Sequence, residues 1–335
     1  MQVLTLERQQ YFLSTVSRTF ALTIPLLPKE VEDWVGNSYL LCRITDTIED
    51  AVYLDKELKK IHMQKFASFL SSPIGLEQWT SEICELARSS SNDHENELMA
   101  AIPEVVGRYY SYPAEIQHIL RHTVTIMAKG MSQIERWEKI DCLDEVDHYC
   151  YSVAGVVGEL LISLFAEHSP AMKKTLDSQL PYAVTFGEAL QLTNILKDVW
   201  DDLKRGVTWL PIKNTDPDRD AKVQEYISVA YGHCLQAMEF IKRMPVLQVG
   251  IRHFCLLTNA MAILTLRNIQ ANPGFKDSSE IKITRAEVKK LYYFYKYFGW
   301  CNFAIDFMTK RCSGSSLKPI IRSCEEIHKK VSFWK

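Results

Sequence analysis

Apolar residues along this chain recur mainly at helical spacing. Positions i, i+3, i+4 and i+7 carry leucine, isoleucine, valine and aromatic side chains over long windows, and the strict alternation of a half-buried strand is rare. This periodicity predicts helices over residues 29–54, 55–70, 115–131, 143–166, 178–203, 221–243, 251–269 and 285–298. Breaks fall at Pro25 and Pro28, at Ser71-Ser72-Pro73, over 89–92, at Ser169-Pro170, at Gly206, over 214–217 and at Asn272-Pro273-Gly274. These are the residue types that end helices or set turns. No break separates halves of different composition, and no internal repeat or low-complexity tract is visible. The pattern predicts one all-α domain over residues 1–335 and disfavours a doubly wound sheet.

Two acid-rich segments interrupt this pattern: Asp46-Thr47-Ile48-Glu49-Asp50 and Asp198-Val199-Trp200-Asp201-Asp202. Tyr39, Arg43, Asp46 and Asp50 follow one another at i, i+4, i+7 and i+11, one continuous stripe of a helix, with Glu49 beside it. Leu40, Leu41, Ile44, Ile48 and Val52 are left for packing on the other face. Gln191, Asn194, Asp198 and Asp202 form a second stripe at i, i+3, i+7 and i+11, with Lys197, Lys204 and Arg205 close by. Like charges stacked on one face repel, and flanking apolar residues raise the cost. A bland reading makes each stripe a solvated face with a helical ion pair, Arg43–Asp46 in one and Asp201–Arg205 in the other. Two matching oxygen-rich stripes favour a sharper one. If they face each other across a bundle, they offer the hard oxygen ligands by which Mg²⁺ holds a diphosphate.

A third segment, Tyr149-Cys150-Tyr151-Ser152-Val153-Ala154-Gly155-Val156-Val157-Gly158, places two glycines inside a helical run. Glycine there costs about 1 kcal/mol against alanine. The sites suit either a groove for a long apolar chain or close packing of two helices. Together the segments suggest metal-assisted departure of an allylic diphosphate. Arg18, Arg43, Lys197 and Arg205 are candidate phosphate contacts, and Tyr39, Tyr149 and Phe20 are candidate aromatic faces for a carbocation.

Composition bounds the partners. The 335 residues are 47% hydrophobic and 24% charged with a net charge of −2, which gives no nucleic-acid surface. Only 13 glycines and 12 prolines fit a helical architecture. The nine cysteines are scattered without a C-x-x-C pair, as in a reduced cytoplasmic protein, and zinc is disfavoured. No signal peptide is visible, and the longest weakly polar run, 254–266, is too short to cross a bilayer and contains Asn259. The expectation is a monomeric cytoplasmic protein, with at most a peripheral membrane contact.

These residues also carry a family likeness. Ser17-Arg18-Thr19-Phe20, the run from Arg43 through Asp50, the run from Tyr149 through Gly158, and the run from Gln191 through Asp202 occur in the order seen in squalene/phytoene synthases, which the chain resembles over most of its length. The resemblance implies an all-α isoprenoid-synthase helical bundle with a central active-site cavity. It implies head-to-head condensation of two farnesyl diphosphates to presqualene diphosphate, followed by reduction to squalene by NADPH. Asp46, Asp50, Asp198 and Asp202 would be Mg²⁺ ligands, with Glu49, Asn194 and Gln191 supporting. Ser17, Arg18, Arg43 and Lys197 would contact diphosphate. Tyr149 would be the catalytic tyrosine, and Val153, Ala154, Gly158 and Leu161 would line the prenyl tunnel. The segment from Phe254 to Leu266 is similar to squalene synthases, whereas 189–195 and 205–211 lean towards phytoene synthases. The likeness is to a soluble bacterial form, with peripheral membrane contact for product release. Dehydrosqualene, hydroxysqualene and phytoene synthases, which need no reductant, share the same motifs, and a non-catalytic isoprenoid-binding relative is the reading from another class. Two departures stand out: Gln270 where squalene synthases often carry a tyrosine, and Lys197 where an arginine is usual, which keeps the charge and loses the planar fork.

Overall fold

The computed structural model describes residues 2–17, 19–51, 54–87, 92–204, 206–213 and 216–332. Every regular element among them is helical. The chain divides into two compact units, Met1–Ile134 with Ser163–His168, and Glu135–Ile162 with Ser169–Lys335.

The first unit is built around α2 (Lys29–Asp50), which follows α1 (Leu6–Val16). Pro28 precedes α2, where its fixed φ and missing N–H cost nothing. Val31, Trp34, Val35, Leu41, Ile44 and Ile48 of α2 are buried. They pack among α1, α3 (Lys56–Phe69), α5 (Asp93–Ala100), α6 (Ile102–Tyr110) and α7 (Ala114–Met131), with α4 (Leu76–Ala87) lying against α5 and α6. Asp55 caps α3 by accepting from the Leu58 N–H at 2.8 Å, and Asn92 caps α5 from the Glu95 N–H at 3.0 Å. Arg108 donates to both oxygens of Asp33, and Tyr112 donates to the same carboxylate at 2.9 Å, which ties α6 to α2.

Helix α2 ends at Asp50, four residues before the end that its apolar spacing predicts; Ala51 already has extended backbone. The acidic residues therefore occupy the last turns, where the helix dipole opposes negative charge. Short helices such as α1, α4, α5 and α6 fall below the window in which periodicity stands out, and side-chain caps rather than Gly or Pro delimit several of them.

The second unit centres on α10 (Leu176–Lys204). Ahead of it run α8 (Leu143–Cys150), one π-helical turn over Tyr151–Gly155, and α9 (Val156–His168), which belongs to this unit as far as Ile162. After it come α11 (Arg219–Arg243), α12 (Val249–Ala271), α13 (Arg285–Phe298), α14 (Asn302–Ser313) and α15 (Cys324–Val331). Helix α10 lies along α11 and also meets the π turn, α12 and α15. Leu192 and Leu196 of α10, Ile227 and Ala230 of α11, and Leu257 and Ala260 of α12 are buried.

The two-glycine segment resolves into a helix crossing at Gly158. A Cβ there would lie 1.9 Å from Ala183 O, and one at Gly187 would lie 2.0 Å from Ala154 O. The backbones touch, so the absent side chain of Gly158 makes room for α10 rather than for a ligand. Gly155 is likewise closed in by Tyr151 and Val184. The run expected as one helix over 143–166 is interrupted by the π turn; such turns insert one extra residue and re-aim the side chains around it.

Two stretches, Leu143–His168 and Val249–Ala271, are long and apolar enough to cross a membrane, but 83% of each window is buried inside the protein. They serve as core helices here. All nine cysteines are free thiols.

Candidate active site

In the first unit, α2 presents Tyr39, Arg43, Asp46 and Asp50 on the one face that is not fully buried, as their spacing predicts. Ser17 and Phe20 stand beside it. Ser17 Oγ accepts from the Phe20 N–H at 3.0 Å, the Tyr39 hydroxyl donates to Val16 O at 3.3 Å, and the Phe20 and Tyr39 rings lie 5.3 Å apart. The segment ahead of α2 is thus fastened to the top of the stripe. Arg18 of the same segment lies outside the described residues.

Arg43 does not simply answer Asp46. The two are 4.0 Å apart, and the guanidinium's close partner is Glu95 of α5, a residue that the sequence reading missed. Only its spatial return to α2 reveals it. Arg43 therefore serves Asp46, Asp50 and Glu95, and Lys59 acts on Glu49 and Asp50. Burial, then repulsion from Asp50, Glu49 and Glu95, pushes Asp46 up to about 8 against the pull of Arg43. Burial and Asp50 push Glu49 up to about 7, and Asp50 is raised as well, again chiefly by burial.

In the second unit, Gln191, Asn194, Asp198 and Asp202 share a face of α10. Asn194 is exposed, Gln191 and Asp198 are partly buried, and Asp202 is buried. Asp198 lies 3.2 Å from Lys197, and Asp201 is 2.9 Å from Lys204, which also donates to Lys276 O. The Asp201 pair expected with Arg205 is made by Lys204, and Arg205 lies outside the described residues.

Tyr149, near the end of α8, is buried and stacks face to face on Trp209, with centroids 4.3 Å apart and planes 6° from parallel; Trp137 meets it edge-on at 5.5 Å. Trp209 was not singled out from the sequence, although it stands in the 205–211 segment that carried part of the likeness. From Tyr149 on, Val153, Ala154 and Val157 keep partial exposure while Leu161 is buried. The π turn between them sets this face.

The donor set on both stripes is oxygen only, which suits a hard divalent cation such as Mg²⁺ rather than zinc. It is crowded with negative charge at helix C-termini, which a cation relieves. Among the described residues, no three His, Cys, Asp or Glu side chains already converge as a metal cage. The chemistry of the ligands fits, and the sphere is not preassembled by protein groups alone.

The comparisons bear on this geometry. The squalene/phytoene synthase model matches residues 13–287. The chain is 26% identical over 284 residues to squalene synthase ERG9 of Candida albicans, covering 78% of this chain and 61% of that protein. It is 27% identical over 300 residues to Botryococcus squalene synthase of Botryococcus braunii, with 84% and 61% covered. The chain thus spans about three fifths of the length of these relatives. A solved complex of TcSQS with a ligand superposes with a TM-score of 0.75 at 23% identity, covering 97% of this chain and 96% of that one. A dehydrosqualene synthase superposes at 0.59 with 17% identity, covering 87% and 95%. The match over residues 13–287 establishes that this chain belongs to the squalene/phytoene synthase family and has its all-α fold.

Proposed function

We propose that this protein is a squalene synthase, a prenyltransferase that joins two farnesyl diphosphates head to head through presqualene diphosphate. The observation that carries the reading is the pair of carboxylate-bearing stripes ending α2 and α10 in a chain of this family, with the α2 carboxylates short of cations. Asp46, Asp50, Asp198 and Asp202 would hold Mg²⁺, with Glu49, Asn194 and Gln191 as further oxygen donors. Bound there, Mg²⁺ supplies charge neutralisation to a leaving diphosphate.

The chain's own residues do the rest. Arg43 and Lys197 present cations to phosphate oxygens, and Ser17 presents a hydroxyl. Tyr149, clamped between Trp209 and Trp137, brings a phenol to an aromatic-walled site that keeps water from an allylic cation and presents ring faces to it. Val153, Ala154 and Leu161 add an apolar wall for a prenyl chain. Gly158 has no part in that wall.

Conversion to squalene with NADPH as reductant is the second half of the proposal; the relatives named squalene synthase support the product, and the reductant comes from the family resemblance. Among the described residues no glycine-rich dinucleotide cradle stands out.

Product analysis tests the reading. Purified protein is incubated with farnesyl diphosphate and Mg²⁺, with and without NADPH, and products are identified by mass spectrometry. The expected result is squalene only with NADPH and presqualene diphosphate without it. Dehydrosqualene or hydroxysqualene formed regardless of NADPH overturns the reductive half, and phytoene from a longer diphosphate overturns the substrate. No product and no Mg²⁺-dependent ligand binding leaves a non-catalytic binding protein.

A further inference from the structure

Between α14 and α15 the chain runs over residues 317–323 without helical structure. This strap lies along one face of α11. The Ile320 N–H donates to Ser228 O at 2.9 Å, and Gln236 donates from Nε2 to Arg322 O. Between them, a Cβ at Gly232 would lie 2.0 Å from Ile320 O. Ser228, Gly232 and Gln236 follow at i, i+4 and i+8 and so share a face. Backbone meets backbone at the middle one, where glycine alone lets the strap seat. Strap and α15 both lie beyond the residues 13–287 that the family model matches.

From this anchorage they grip the chain on both sides of the π turn. Before it, Arg322 donates from Nη1 and Nη2 to the two oxygens of buried Asp147 at 2.7 and 2.6 Å, and Lys330 donates to Asp144 at 2.8 Å. After it stands Glu159, fully buried in the first turn of α9. Its Oε1 accepts from the Ser332 hydroxyl at 2.7 Å and lies 3.2 Å from His328 Nε2. Its Oε2 accepts from the Tyr151 hydroxyl at 2.9 Å, a bond that spans the π turn from its first residue to the helix beyond. Two of these three donors come from α15 and the residue after it. A buried carboxylate deprived of donors is costly, so the turn is held in part from outside its own helix.

The gripped face and the site face are different. Asp144, Asp147 and Tyr151 follow at i, i+3 and i+7 and turn towards strap and α15. Tyr149 lies two residues from Asp147, about 200° around the helix, where it stacks on Trp209. Val153 and Val157 follow Tyr149 at i+4 and i+8 and keep partial exposure. π turns are rare and occur frequently at functional sites, where they re-aim side chains. A small shift of this one would turn Tyr149 and the wall after it together.

We infer that the strap and α15 are a positioning element for the reaction, with Arg322 and Glu159 as its positioning residues. Arg322 fixes α8 through Asp147, Glu159 fixes the π turn through Tyr151, and between these two points Tyr149 keeps its aim. Both residues act through Tyr149, whose role rests on the proposed function. Seating the strap in α11 at Gly232 gives the clamp a rigid base, since α11 packs along α10 in the core of the unit.

Hydrogen exchange of the full chain, read by mass spectrometry, tests the clamp without any assay of the reaction. In Arg322→Met the amides over residues 149–158 should exchange about ten-fold faster, while those of α12 keep their protection. Arg322→Lys keeps the charge and loses the planar fork, so it should fall between Arg322→Met and wild type. Ser332→Ala removes one donor from Glu159 and should give a smaller rise over the same amides. These two milder variants carry the test if Arg322→Met folds poorly. Kinetics with farnesyl diphosphate then show what the clamp serves. Arg322→Met should lower kcat by about ten-fold with KM unchanged. Added to Tyr149→Phe it should lower kcat no further, because the residue it aims is already disabled. Unchanged exchange over 149–158 overturns the inference, as does a rise spread evenly over α10, α11 and α12, which would make Arg322 a residue of general stability. Additive losses in the double variant also overturn it, by showing that Arg322 does not act through Tyr149. The expected exchange in a wild-type protein without turnover would support the clamp and defeat the proposed function instead.

Discussion

On α2, Asp46 and Asp50 share Arg43 with Glu95, Glu49 feels Lys59, and burial with repulsion among the carboxylates holds Asp46 and Glu49 towards their neutral forms. On α10, Asp198 has Lys197 at 3.2 Å and Asp201 has Lys204 at 2.9 Å. The same residue pattern, at the same end of a helix, thus stands beside its own lysines in one place and is crowded and short of cations in the other. Asp46 is 29% exposed and Asp198 is 41% exposed, so the difference tracks how much water each keeps as well as how many cations stand near. A cation bound at the α2 stripe would relieve that crowding, whereas the α10 stripe has its own counter-charges and would gain less from one. If both bind Mg²⁺, both should matter to turnover, but only α2 should change stability when its charge is removed.

The widest test removes one carboxylate from each. Asp46→Asn and Asp198→Asn should each lower farnesyl diphosphate turnover by about 10²–10³-fold, the scale for losing one preorganised charge contact in a transition state. Pyrophosphate release in single-turnover assays reads this directly. Near-wild-type rates in either variant would break the symmetry of function and confine the metal site to the other stripe.

Tyr149→Phe asks whether the second unit contributes more than a metal-binding face. The ring can stay between Trp209 and Trp137, so ligand binding should hold while kcat falls by about 10²-fold, a usual range for losing a positioned proton donor or acceptor. Equal losses in binding and kcat would make Tyr149 a packing residue.

Much of this comparison can be read from the sequence. Helix periodicity placed α2, α3, α7, α10, α11, α12 and α13 to within a few residues, because each buries a long apolar stripe against several neighbours. The i, i+4, i+7, i+11 spacing identified the partly exposed face of α2 directly. Glu95 and Trp209 were not legible, since each meets its partner through the fold and not through local spacing. Gly158 was ambiguous for a related reason. A glycine on a helix face looks the same whether a lipid chain or another backbone approaches it, and only Ala183 O decides. The π turn leaves no periodicity signal because it shifts the phase by a single residue.

The stability half of the comparison has a sign that pH reveals. A carboxyl raised in the folded state keeps its proton where the unfolded chain has lost it, so stability is greatest below the unfolded value and falls as pH rises. For Asp46 the window runs from 3.8 to about 8, and for Glu49 from 4.5 to about 7. Metal-free protein should therefore lose melting temperature across this range, and Mg²⁺ should restore it. Asp46→Asn should flatten the slope and raise metal-free stability by about 1–2 kcal/mol near pH 7, measured by denaturant titration. Asp198→Asn leaves Asp46 and Glu49 in place and should keep the slope that they set. If the slopes of the two variants coincide, the contrast between the stripes fails.

Glu188 sharpens the point that a displaced carboxyl is not by itself a site. It lies on α10 in the core, 3.9 Å from His233, with Asp147, Arg322, Glu159, Cys150 and Cys324 around it. Burial drives it well up and drives His233 down to about 3, so both are neutral in the fold. Between pH 4.5 and 6.5 the unfolded chain holds one proton on this pair and so does the fold, which makes their joint contribution level. Above 6.5 the unfolded chain holds none, and stability falls. Glu188→Gln removes that fall, so stability should rise with pH to 6.5 and then stay level, leaving the variant more stable than wild type at pH 8. Turnover at pH 7 should be unchanged. A loss of turnover without loss of stability would assign Glu188 to the chemistry.

The smallest effect is expected at Lys197. Its ammonium is a compact charge on a flexible stem, partly exposed, and it already pairs with Asp198. Lys197→Arg keeps the charge and adds a planar fork that grips phosphate with two parallel hydrogen bonds, while the longer head must clear the neighbouring Asp198. These changes oppose each other, so KM for farnesyl diphosphate should move by less than about three-fold, or under about 0.7 kcal/mol. Lys197→Met removes the charge and should raise KM by about ten-fold, the scale of one charge-assisted hydrogen bond. The α10 stripe would then resemble α2, a row of carboxylates without its own cation, and Mg²⁺ should stabilise the Met variant more than wild type. If Mg²⁺ shifts the melting temperature equally in both, Lys197 does not set the charge balance of α10. The contrast between the two helices would then rest on burial alone.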